Sequence, residues 1–156
     1  MSPVAIVAVC VLGIFIIGLL IFIIKGTLAP KKVDSIPKLI KQGKTSVAIK
    51  QAKQILTKDP KNYIAHYYLG KAYLKENKSE LAIIEYKLVN ENALFGPQLN
   101  ELDFRQEYAQ LLMKYNQQQE ALKNYLLLTK LDPNNPENFY NVGHLYEECN
   151  RYDLAM

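Results

Sequence analysis

Two histidines and two cysteines are where this 156-residue chain could hold a transition metal or present a nucleophile. Their positions speak against both. His66 and His144 each lack the close-spaced Cys or His partner that a structural zinc site needs. Cys10 falls in an uncharged apolar stretch and Cys149 near the other end of the chain, so they form no disulfide framework. That fits a reducing compartment for the polar part. There is no Gly-rich phosphate loop and no nucleophile motif. Residue types and spacing therefore predict no catalytic residue, no cofactor and no metal: the chain is not expected to be an enzyme. Eleven tyrosines could stack on bases. However, residues 61–156 carry ten basic against thirteen acidic side chains, a net of −3, which excludes a nucleic-acid partner. The remaining chemistry is recognition, by side chains that other elements must hold in place.

Positive charge gathers elsewhere. Residues 25–60 carry nine lysines against Asp34 and Asp59, a net of +7, directly after an apolar stretch. That stretch, Val4–Ile24, has 21 residues and no charge. As a helix it spans roughly 31 Å, close to the ~30 Å hydrocarbon core, and predicts a transmembrane helix. Met1-Ser2-Pro3 has no basic residue and no good cleavage site follows, so the anchor is expected to be retained rather than removed as a signal peptide. Lys25, Lys31 and Lys32, in the linker 25–33, are placed to meet anionic lipid head groups. With Lys38, Lys41 and Lys44 on the same flank, the positive-inside rule puts residues 25–156 in the cytoplasm, the periplasm being the alternative. Gly13 and Gly18 are five apart, which is not a dimerisation spacing.

Beyond the linker the chain repeats. Ala48 and Ala82 are 34 apart, as are Ala121 and Ala155, while Ala82 and Ala121 are 39 apart. One unit reads His66-x2-Leu69-Gly70-x2-Tyr73 and then Ala82-x3-Tyr86. The next reads Tyr108-Ala109-x2-Leu112, Ala121-x3-Tyr125 and Pro133. The last reads Phe139-x2-Val142-Gly143-x2-Tyr146 and Ala155; the first, weaker, has Leu39, Ala48-x3-Ala52 and Pro60. The pattern resembles the tetratricopeptide-repeat (TPR) family, whose units carry W-x2-L-G-x2-Y, A-x3-F and P on a 34-residue period. The resemblance implies an all-α chain: an N-terminal transmembrane helix, residues 4–24, and a TPR α-solenoid of antiparallel helix pairs over 34–156, with units at about 34–60, 63–94, 102–133 and 136–156, the last incomplete. Small residues at Gly70, Ala109 and Gly143 would let the first helix of a pair (helix A) lie close to the second (helix B). Asn62 and Asn135 look like N-caps, with Pro136 at the first helical position. The segment Asn90–Glu101 holds five extra residues and predicts a longer loop. The last helix A is expected to expose Val142, Leu145 and Tyr146, to be covered by the next segment of a longer protein or, otherwise, by a partner.

By the same resemblance, the concave face is lined by the A helices. It would present Ile64, Tyr67, Lys71, Leu74 and Lys75, then Asp103, Gln106, Gln110, Met113 and Lys114, then Glu137, Tyr140, His144, Glu147 and Glu148. The candidate partner-binding residues are Tyr67, Lys71, Leu74, Gln106, Gln110, Met113, Tyr140, His144 and Glu147. TPR domains that clamp a chaperone C-terminus use Lys and Asn at fixed positions. Those positions here hold Tyr67, Glu107, Glu137 and Asn141, so that clamp is not expected. The layout is similar to bacterial single-pass TPR scaffolds of the lipopolysaccharide-assembly and flagellar-collar kinds. It implies an adaptor at a bacterial inner membrane that binds a protein peptide or helix in its groove. The alternatives are a structural subunit of a membrane assembly and the regulatory part of a longer protein.

Overall fold

The structure, a computed structural model, describes residues 33–155, with side chains to residue 150, and the three helical positions Gly13, Ile16 and Gly18. The expected span Val4–Ile24 and Lys25, Lys31 and Lys32 otherwise lie outside the described residues. Among the described residues no helix is long and apolar enough to cross a membrane. Val33–Met156 is a unit of its own and is described by itself.

A 3-10 turn, Val33–Ser35, leads into seven α-helices. They are α1 (Ile36–Lys41), α2 (Thr45–Lys58), α3 (Tyr63–Lys75), α4 (Ser79–Asn92), α5 (Glu101–Lys114), α6 (Gln118–Leu131) and α7 (Pro136–Ala155). Each packs on the next, and α1 also touches α3, so the helices form successive antiparallel pairs. Strand character among the described residues is limited to one bridge, Gly96 with Leu99.

Local signals explain these helices. Asn62 Oδ1 accepts from the Ala65 N–H at 3.0 Å and caps α3. Asn135 Oδ1 accepts from the Glu137 N–H at 3.1 Å beside Pro136, at the start of α7. Ser35 precedes α1 without a side-chain cap. Asn100, which the sequence pattern did not single out, caps α5 by accepting from the Asp103 N–H at 3.1 Å. Each turn from helix A to helix B passes through the left-handed region, at Gly43 (φ 73°), Asn77 (φ 56°) and Asn116 (φ 54°). Glycine and asparagine tolerate that conformation best.

Alanine and glycine bring the pairs together, and aromatic rings fill the space between them. Ala48, Ala82, Ala109 and Ala121 are fully buried. Gly70 is the tightest position: a Cβ there would lie 2.7 Å from the ring of Tyr86, itself fully buried. Gly70→Ala must therefore displace a packed ring. We expect it to lower the unfolding free energy by about 1–3 kcal/mol, read as an earlier urea midpoint with an unchanged slope. Gly143, at the same repeat position, has nothing within 4 Å and needs no such allowance.

The extra residues sit at the junction of α4 and α5, the thinnest contact between consecutive helices. Arg105 supports them from below. Its Nε donates to Glu101 at 2.7 Å and its Nη1 to Asn90 and to the buried Asn124, both at 3.1 Å. The guanidinium lies 5.3 Å from the Phe95 ring centroid, while Leu94 beside it is 95% exposed. Arg105→Met removes charge-assisted bonds worth about 1.5–3 kcal/mol and so raises loop opening by roughly tenfold or more. Proteolysis within residues 93–100 should accelerate accordingly.

The last unit departs from the expected pattern in two ways. First, α7 runs unbroken to Ala155, through Asn150, which matches Asn77 and Asn116 in register. In the earlier pairs the chain turns at that position and helix B packs back on its own helix A. Second, Leu145 is fully buried and Val142 half-buried, whereas Phe139 and Tyr146 are exposed. Leu145 points back into the core cluster rather than toward the open end.

Candidate functional site

The A helices α1, α3 and α5 enclose an open cavity of about 490 Å³. Ile40, Leu74, Leu111 and Tyr115 give it apolar walls, and Lys71, Lys75, Gln110 and Lys114 its polar ones. Lys75 and Lys114 make no ion pair among the described residues, and the Lys114 ammonium sits 5.9 Å from the Tyr115 ring centroid.

Glu107, also on this wall, organises the floor. Its Oε1 accepts from Lys71 Nζ at 2.7 Å. Its Oε2 accepts from the Tyr86 hydroxyl at 2.8 Å and the Tyr67 hydroxyl at 3.1 Å. Lys71 also donates to the Tyr67 hydroxyl at 3.2 Å. One carboxylate thus ties α3, α4 and α5 across the repeat junction. Burial, and then the nearby Glu107 charge, push the Tyr67 phenol from 10.0 to about 12, and the same causes push Tyr86 up further. Burial alone would lower the Lys71 ammonium, but its hydrogen bonds to Glu107 and Tyr67 outweigh this and raise it.

The candidate residues separate into five settings. Lys71, Leu74 and Gln110 line the cavity. Gln106 and Gln110 line a second recess of about 100 Å³ with Glu137, Asn138 and Asn141. Tyr67 is only 7% exposed and supports the floor from beneath: its ring meets Tyr86 and Phe104 edge-on. Met113 is half-buried against the core. Tyr140, His144 and Glu147 sit exposed on α7 in neither cavity, with Tyr140 stacked on His144 at 6.3 Å. Glu107 is the residue that sequence reasoning did not select. No local signal marks it, because its role depends on two hydroxyls arriving from other helices.

His66 is a tie between the helices of one pair. Its Nδ1 is 2.5 Å from Glu85 Oε2 on α4, and its Nε2 is 3.0 Å from the Pro60 carbonyl. No group of three His, Cys, Asp or Glu side chains among the described residues could hold a metal.

No family model and no curated protein matches the chain. Solved structures do. The first TPR domain of Spaghetti (RPAP3), bound to an HSP90 peptide, is 22% identical over 74% of this chain and 90% of its own, with a TM-score of 0.56. MamA is 20% identical over 80% of this chain and 68% of its own, with a TM-score of 0.60. The Yersinia enterocolitica type III secretion chaperone SycD, in complex with a peptide of the translocator YopD, is 17% identical over 74% of this chain and 90% of its own, with a TM-score of 0.57. At these identities the likeness shows the fold. The described helices form an all-α TPR-like solenoid.

Proposed function

We propose that the solenoid is a protein-interaction module and that it receives a peptide or helix of a partner in the cavity between α1, α3 and α5. The carrying observation is the pairing of apolar walls with Lys75 and Lys114, two ammonium groups that make no ion pair among the described residues. A helix or strand with apolar anchors suits such a groove. Two structural neighbours, the Spaghetti domain and SycD, carry peptides, which supports the same use of the fold here.

In this reading residues 4–24 tether the module to a bacterial inner membrane as a single pass. Residues 25–156 lie on the lysine-rich, cytoplasmic side, where Lys25, Lys31 and Lys32 meet anionic lipid. The chain acts as a scaffold rather than an enzyme. A photo-crosslinking amino acid at position 110, in the full chain in its membrane, tests the groove. Adducts should form there, fall sharply in Lys75→Glu/Lys114→Glu, and be absent from the same probe at position 119 on α6. Equal adducts at both positions would sink the groove reading.

The exposed Phe139, Tyr140 and Tyr146 on α7 favour a second role in end-on assembly with a further subunit. A monodisperse monomer in detergent, unchanged by Tyr146→Ser, would count against it.

A further inference from the structure

The outer face of the B helices is unusually aliphatic. In a solenoid that face looks outward and is normally polar. Here Val47 on α2, Leu81, Ile84 and Leu88 on α4, and Leu127 and Leu131 on α6 are all exposed, Ile84 at 56%. Two pairs share one register: Val47 and Leu81 are 34 apart, and Leu88 and Leu127 are 39 apart, the same intervals that relate the buried alanines. Those four occupy equivalent outward positions on their helices, and Ile84 and Leu131 fall on the same helix face at positions of their own.

Lysines fill equivalent positions on that face. Lys50 and Lys123 match Ile84 in register, and Lys58 matches Leu131. Acidic neighbours are fewer and partly matched: Glu120 pairs with Lys123 at 3.1 Å and Glu91 with Lys87 at 3.9 Å. Lys50, Lys58 and Lys130 are exposed and leave the face net positive. Long lysine stems can lie along apolar surface while the ammonium reaches out to anions.

We propose that this outer face rests on an anionic lipid bilayer, with the aliphatic side chains in the interface and the lysines among the head groups. The pattern fits a bilayer better than a partner helix. The apolar residues are spread over three helices instead of concentrated in one groove, and they include no aromatic anchor of the kind that dominates protein interfaces. This rests on the membrane-tether reading in one respect. Residues 25–32 can extend at most about 28 Å, so a tethered unit stays near the surface and weak lipid affinity suffices. The partner groove, on the A helices, then remains open to the aqueous phase.

The full chain is reconstituted into phosphatidylcholine vesicles with or without phosphatidylserine. In a Cys10→Ala/Cys149→Ser background, a fluorophore is placed at Ile84→Cys or, for the groove, at Gln110→Cys. Quencher-labelled lipid should quench position 84 well above position 110, and only when phosphatidylserine is present. Equal quenching at the two positions, or quenching indifferent to phosphatidylserine, overturns the proposal. So does protection of position 84 by chain–chain contact that rises with protein concentration and needs no anionic lipid.

Alkaline carbonate extraction of the same vesicles reports the tether separately. If the chain is extracted, the tether reading fails and the surface is judged on residues 33–156, which hold their own core. That fragment should cosediment with phosphatidylserine vesicles at low salt. Lys50→Gln/Lys123→Gln should weaken its binding by roughly thirtyfold, from about 1 kcal/mol per lysine. No cosedimentation at any salt concentration overturns the proposal.

Discussion

Glu107→Ala should lower the unfolding free energy of the solenoid by about 3 kcal/mol. The substitution removes the acceptor shared by Tyr67, Tyr86 and Lys71. The Tyr86 side chain is fully buried, so its hydroxyl loses its acceptor in a poorly solvated place. An orphaned buried polar group costs about 1–3 kcal/mol, and the Tyr67 hydroxyl loses its acceptor as well. The Lys71–Glu107 ion pair adds little, because both side chains are more than a third exposed and solvent screens them. Glu107→Gln keeps one acceptor oxygen and should cost about half as much. Urea unfolding followed by circular dichroism checks both. A midpoint unchanged by Glu107→Ala would mean that water replaces the carboxylate.

Alkaline solution should unfold the protein between pH 10 and pH 12, well before the backbone is attacked. Folding pushes the phenols of Tyr67 and Tyr108 from 10.0 to about 12. Burial is the main cause in both; Glu107 adds to it for Tyr67, and Glu120 and Glu91 for Tyr108. Raised values mean that the fold favours the neutral phenol. The unfolded chain ionises first, so their contribution is complete below pH 10 and is lost as pH climbs through 12. Together they remove about 5 kcal/mol by the upper end, comparable with the whole stability of a small domain. Tyr86 and Tyr125 shift in the same direction and deepen the effect. Tyrosinate absorbance and helical dichroism should change together in one transition, and Tyr108→Phe should move that transition to higher pH. Ionisation that precedes loss of helix would refute the linkage.

The helix pairs were legible because alanine at 34-residue intervals has one purpose in a repeat, to let two helices touch. The loop before α5 was legible from the 39-residue interval. Other features were not, and for different reasons. Tyr67 falls at a groove position by register, yet Phe104 and Tyr86 enclose it, and no counting along one strand of sequence reveals what leans on it from the next unit. Glu107 is one more glutamate on a polar helix until Tyr86 arrives from α4. Asn150 carries the same turn signal as Asn77 and Asn116, and α7 is helical through it all the same.

The tie at Glu107 also bears on how the solenoid melts. A chain of repeats behaves as a line of units, each coupled only to its neighbours, and its cooperativity is as long as its weakest coupling allows. The join between α4 and α5 is the thinnest contact between consecutive helices, so the coupling there rests on the Tyr86 ring stacked on Phe104 and Tyr108, on the bond from Arg105 to Asn90 and on one carboxylate with three donors. Removing that carboxylate should therefore loosen the coupling between α1–α4 and α5–α7 and bring the solenoid closer to melting as two blocks.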